Sequence, residues 1–122
     1  MDPVSLLPLS PQVFHILVAL ADNDRHGYSI MQDVASRTSG GIRLSPGTLY
    51  GSIQRLLEQG LIVELAAKER PDTSRDDARR RYYRLTPFGR KVAEAEAQRM
   101  TELLEHARAY GLTPKVTQER IV

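Results

Sequence analysis

Apolar residues recur along this chain in short helical runs, separated by polar breaks that carry glycine. Val13, Phe14, Ile16, Leu17, Val18 and Leu20 follow Ser10-Pro11. A hydroxyl at the N-cap accepts an otherwise unsatisfied N–H, and proline at the next position lacks an N–H that has no partner there. A helix over 11–21 is expected, apolar over much of its surface and central to the core. ADNDRHG at 21–27 reads as a polar loop. A second helix over 27–37 places Ile30, Met31 and Val34 on one face, and TSGG at 38–41 breaks it. Ile42-Arg43-Leu44 has the alternation of a very short strand. Ser45-Pro46 repeats the helix start, and Leu49, Ile53, Leu56 and Leu57 recur at i, i+4, i+7 and i+8. The third helix is expected over 46–59, with Gly60 at its end.

Residues 61–67 then read as a strand, 68–79 as a polar loop, and 80–85 as the returning strand. Tyr82 and Tyr83 alternate, so one should face the core and the other outward. Thr86-Pro87 opens a fourth helix reaching about residue 110, before Gly111 and Pro114. Residues 1–9, with Pro3 and Pro8, read as an irregular arm. The fold class is mainly α with a small β-hairpin. Three short helices followed by a two-stranded hairpin is the plan of a winged helix-turn-helix, here followed by a long C-terminal helix. Two parts are expected: a winged helix-turn-helix unit with its arm over 1–86, and a dimerisation helix and tail over 87–122.

Composition narrows this plan. At 122 residues the chain makes one domain, and with no cysteine it has neither disulfides nor a thiolate metal site. No apolar run approaches a membrane span of about 20 residues. The first twelve residues lack the basic run of a secretion signal, and the expected location is the cytoplasm. Net charge is only +2, but it is uneven. Residues 68–91 hold nine basic residues against four acidic, while residues 1–60 hold four against five. A basic segment in a near-neutral chain suggests an anionic partner touching one place.

The third helix supplies a second clue. Away from its apolar stripe it carries Gly47, Thr48, Tyr50, Gly51, Ser52, Gln54 and Arg55, with no acid before Glu58. Small residues allow close approach to a major groove, and hydroxyls, amides and guanidinium groups read base edges or phosphates. Arg75, Arg79, Arg80 and Arg81 cluster around the hairpin tip, where they could hold the flanking backbone or a narrow minor groove. An ordinary solvated helix face and a solvated loop are the alternatives to each signal taken singly. Double-stranded DNA is the expected partner because both occur together, in the right order.

HGYSI at 26–30, LSPGTLYGSIQRLLEQGLI at 44–62 and RRYYRLTPFG at 80–89 resemble the PadR family of bacterial transcriptional regulators. The likeness covers about residues 10–90, and the single last helix resembles the short-tailed branch of that family. The resemblance implies a homodimer binding a palindromic operator, usually as a repressor. It places Gly27 and Tyr28 in the family's second-helix motif, and Thr48 and Tyr50 in its third-helix motif. Ser45, Tyr28 and Tyr50 are expected to position phosphates, while Thr48, Gly51, Ser52, Gln54 and Arg55 read bases. Tyr28 also has a plain reading, as a core residue with its hydroxyl at the surface. For Tyr50, partial burial with the hydroxyl on a phosphate is expected.

The last helix carries the dimer expectation. Ala93, Ala97, Met100, Leu104 and Ala107 approximate a 4-3 spacing, and Leu103 widens the seam. Glu94, Glu96, Glu102, Glu105, Arg99 and Arg108 would flank it. Packing on its own domain absorbs Phe88 and Val92, but a helix of about 24 residues is near 36 Å long and outruns a small domain.

Enzymatic chemistry is not expected. His15, His26 and His106 have no metal-ligand spacing, and no cofactor motif is present. Two alternatives keep the fold and change the role: a sensor of phenolic or other small aromatic effectors, or a protein-interaction module that no longer binds DNA. Some members of the family stack flat drugs on a tryptophan of the last helix, and this chain has no tryptophan. An apolar pocket near Phe14 and Met100 would be the remaining effector site.

Overall fold

The computed structural model describes residues 2–70 and 80–112. Four helices and three short strands follow in order: α1 (Pro11–Asp22), β1 (Arg25–His26), α2 (Gly27–Arg37), α3 (Pro46–Glu58), β2 (Ile62–Glu64), β3 (Tyr82–Leu85) and α4 (Pro87–Ala109). The start signals act as local chemistry dictates. Ser10, Ser45 and Thr86 each accept a hydrogen bond from the backbone N–H three residues on, and each is followed by a proline. The Thr86 hydroxyl also donates to the Gly60 carbonyl at 2.7 Å, which ties the start of α4 to the turn after α3. Gly89 makes this approach feasible, because a Cβ there would lie 2.0 Å from the Leu61 carbonyl oxygen.

The core forms where the apolar faces meet. Ile16, Leu17 and Leu20 of α1 pack with Ile30 and Val34 of α2, and Leu49, Ile53 and Leu56 of α3 join them. Leu61, Ile62, Tyr83, Leu85 and Val92 close the cluster from the sheet and from α4. The architecture is the expected one, mainly helical with a small antiparallel sheet. α2 and α3 form the helix-turn-helix and β2–β3 the base of the wing.

Several details differ from the expectations. Residues 42–44 form no strand, since the Ile42 N–H bonds the Thr38 hydroxyl at 3.0 Å. The third strand comes from the segment read as a loop: Arg25 pairs with Tyr83 and His26 with Tyr82, so the sheet order is β1-β3-β2. This places β3 in the centre, and both tyrosines are buried. Tyr83 joins the core, while the His26 ring covers Tyr82 edge-on at 5.2 Å. β2 is shorter than expected and gives way to a 3-10 turn over Ala67–Glu69. The arm is not irregular: Pro3–Leu6 forms a 3-10 turn against α4.

Glu96 is the largest departure in α4. It was expected to flank an exposed seam, yet it is 1% exposed. Its carboxylate accepts from the Leu9 N–H at 2.9 Å and from the Arg99 guanidinium, so the charge is buried with partners. No helix among the described residues is long and apolar enough to cross a membrane.

Candidate nucleic-acid interface

α3 turns its apolar stripe inward and presents Thr48, Tyr50, Gln54 and Arg55 to solvent. Gly51 is half-buried between them. Ser52 does not share this face. It is buried, and its hydroxyl accepts from Arg55 Nη2 at 3.3 Å, so it orients the arginine rather than facing outward. At the helix start, the Ser45 hydroxyl accepts the Thr48 N–H and donates to the Thr48 hydroxyl at 3.0 Å. Both side chains sit at the exposed N-terminal turn of α3.

Tyr50 reaches across to α2. A Cβ on Gly27 would stand 2.4 Å from the Tyr50 hydroxyl, so glycine at 27 is what allows the phenol to lie there. Tyr50 stays 50% exposed and Tyr28 beside it 56%, so Tyr28 is a surface residue and not a core one. Together with His26, Arg80, Arg81 and Tyr83 they line a cleft of about 370 Å³. It joins the start of α2, the middle of α3 and the base of the wing. The Tyr83 phenol is held above its ordinary pKa by burial first and then by Glu64, so it stays a neutral group at the cleft floor. Arg84 faces elsewhere, bonded to Asp24 at 2.8 Å.

Four of the residues assigned to phosphate or wing contacts from the sequence, Tyr28, Tyr50, Arg80 and Arg81, therefore converge on one cleft. Arg75 and Arg79 lie outside the described residues. His26, which opens the second-helix motif, has a capping role that the motif alone does not show. Its Nδ1 accepts the Ser29 N–H at 3.1 Å, which makes it the N-cap of α2. The signal was there in negative form, because α2 begins with neither a hydroxyl nor a carboxylate where the other helices have a Ser or Thr.

On α4, Met100, Leu103 and Leu104 are exposed and, with Ala107, line a shallow apolar depression. Ala97 is exposed as well, whereas Ala93 packs against the domain's own core. The residues lining the depression at Met100 all come from α4 and do not include Phe14. Among the described residues, no group of three or more His, Cys, Asp or Glu could hold a metal ion.

A family model described as the transcriptional regulator PadR-like family matches residues 16–95. The chain belongs to that family. This PadR-like regulator is 38% identical over 89 residues to the transcriptional regulator Rv3488 of Mycobacterium tuberculosis, covering 73% of this chain and 75% of that one. It is also 40% identical over 88 residues to an uncharacterized 37.1 kDa protein in transposon TN4556 of Streptomyces fradiae. That match covers 72% of this chain but spans 22% of the longer protein. Among solved structures, a transcriptional regulator from Clostridium thermocellum superposes with a TM-score of 0.66 at 26% identity, covering 84% of this chain and 90% of that one. A PadR family transcription regulator from Clostridium difficile has the same fold, with a TM-score of 0.66 at 22% identity over 83% and 98% of the two chains.

Proposed function

We propose that this PadR-like regulator is a homodimeric repressor that binds a palindromic operator. The observation that carries the reading is the cleft that Tyr28, Tyr50, Arg80 and Arg81 line beside the outer face of α3, which carries no acid before Glu58. A duplex laid against α3 meets base-reading groups in the groove and cations at the groove's edge. Thr48, Gln54 and Arg55 read base edges, with Gly51 allowing close approach. Ser45, Tyr28 and Tyr50 seat phosphates, and the wing arginines Arg75, Arg79, Arg80 and Arg81 hold the flanking backbone. The exposed end of α4 pairs with its copy through Ala97, Met100, Leu103, Leu104 and Ala107. Two recognition helices then enter successive major grooves about 34 Å apart. The repressor role is what the family resemblance implies, exercised by occupying the operator.

The test separates reading from clamping. Arg55→Ala should cost about 1–3 kcal/mol on the operator and far less on random duplex, relaxing specificity. Arg80→Ala should weaken both alike and flatten the salt dependence by about 0.9 for each phosphate that is no longer neutralised. Equal losses on both duplexes for Arg55→Ala would remove it from base readout.

A further inference from the structure

We infer that Arg25 is a positioning residue for DNA binding: its guanidinium braces the first turn of α2 against α1 and so sets the tyrosine wall of the cleft, without touching the duplex. The inference rests on the DNA-binding reading above and adds to it a residue that a list of duplex contacts would omit.

The brace has four contacts. Arg25 Nε donates to the Ala19 carbonyl at 2.9 Å. That carbonyl is among the last four of α1, which have no N–H partner within the helix, and a cation is favoured at that end of the helix dipole. Nη1 donates to the Ser29 hydroxyl at 3.0 Å, in the first turn of α2. Nη2 donates to Asp22 at 2.7 Å and reaches Asp33 at 3.4 Å, one acid from each helix. The side chain is left 16% exposed, so little of it remains to meet a phosphate. Asp33 carries the link onward. It accepts from Arg37 Nε at 2.7 Å, and Arg37 Nη2 donates to the His15 carbonyl at 3.0 Å. Positions 25, 29, 33 and 37 are spaced by four and fall on one face. Polar bonds therefore lace the α1–α2 seam, with Arg25 at the end beside the cleft.

What the brace holds is the cleft wall. Ser29, fixed through its hydroxyl, gives its backbone N–H to His26 Nδ1 at 3.1 Å, so brace and cap meet on one residue. Within that turn lie Gly27, against which the Tyr50 hydroxyl packs, and the exposed Tyr28. The Arg25 backbone also pairs with Tyr83 of β3, another residue of the same cleft. One residue thus joins the end of α1, the start of α2 and the base of the wing. Lysine would keep the charge but not the planar fork that spans a carbonyl, a hydroxyl and two carboxylates. Without the fork the first turn of α2 can shift, and aligning the tyrosines on a phosphate then costs ordering that the brace has already supplied.

The test titrates the full-length chain with a mixed-sequence duplex in the cold, far below the melting transition. Arg25→Lys should bind about tenfold more weakly per protomer. The ring resonances of Tyr28 and Tyr50 should shift in its DNA-free spectrum. Arg25→Gln should bind weakly too, with the wild-type salt slope, since no phosphate contact is lost. Ser29→Ala removes one brace contact and leaves the cap and both ion pairs, so it should show the same changes to a smaller degree even if the Arg25 variants fail to fold. Wild-type affinity for Arg25→Lys, with a slope lowered by about 0.9 per protomer in Arg25→Gln, would make Arg25 a direct phosphate contact and overturn the inference. A lower melting temperature with unchanged tyrosine resonances and unchanged affinity would reduce it to a scaffold residue, with DNA binding intact. If the wild type binds no duplex, the DNA-binding reading fails and takes this inference with it.

Discussion

Gly27 and Tyr50 are far apart in sequence but act as one feature, since the phenol lies where a Cβ at 27 would stand. Gly27→Ala pushes against the hydroxyl end of a movable side chain, so its stability cost should stay within about 1 kcal/mol. Displacing Tyr50 should nonetheless weaken duplex binding, and a titration of Gly27→Ala with affinity equal to the wild type would contradict this. His15 shows how a histidine can matter without touching a ligand. Its Nδ1 lies 3.1 Å from the Arg37 guanidinium, which also donates to the His15 carbonyl. Burial, and then the Arg37 charge, lower its pKa below the ordinary 6.5. The unfolded chain thus binds the proton more readily, and stability should fall as pH drops below about 6.5 toward the lowered value. Urea unfolding of His15→Gln at pH 7.5 and 5.5 should show less of this decline, and an identical decline would refute it. The caps at Ser10, Ser45 and Thr86 were legible because they depend on neighbours within one turn. The burial of Tyr82 was not, because the ring that covers it comes from a strand 56 residues earlier in the chain.

The helices were readable because a 3.6-residue apolar period and a start signal point to the same residues. β1 was hidden, since Arg25-His26 has no apolar alternation and exists as a strand only through β3. The arm was hidden for a related reason: its hold on α4 runs through Glu96, a charge that the pattern assigns to the surface. Arg99 lowers the Glu96 pKa most, burial opposes it, and the Leu9 N–H adds to the lowering. This stabilisation is present above the ordinary carboxylate pKa near 4.5 and lost as pH falls through the lowered value. Glu96→Ala should cost about 1–3 kcal/mol at pH 7, speed hydrogen exchange at the Leu9 amide, and converge on the wild type in acid. An unchanged Leu9 exchange rate would show that the arm is held by its apolar contacts alone.

At the scale of the whole molecule, α4 has 23 residues and is therefore about 35 Å long. Its first half packs on the domain through Val92 and Ala93, while Met100, Leu103 and Leu104 stay exposed. Leu103→Glu should leave the helical signal intact and shift sedimentation toward monomer at micromolar concentration. A species of unchanged mass would contradict pairing through this face. The net charge of +2 is small, but the basic excess is concentrated in residues 68–91. Arg80 and Arg81, from the basic segment, stand at the cleft that Tyr50 of α3 also lines. The candidate residues were readable one at a time from composition and motif. Their convergence was not, because it depends on the glycine at 27 and on where β3 delivers the wing base. The central claim is sequence-specific DNA binding by a two-fold dimer, and selection from randomised duplexes at low salt tests it most directly. Enrichment of a palindrome with half-site centres about 10 base pairs apart is expected. Recovery of no enriched duplex at all would contradict it.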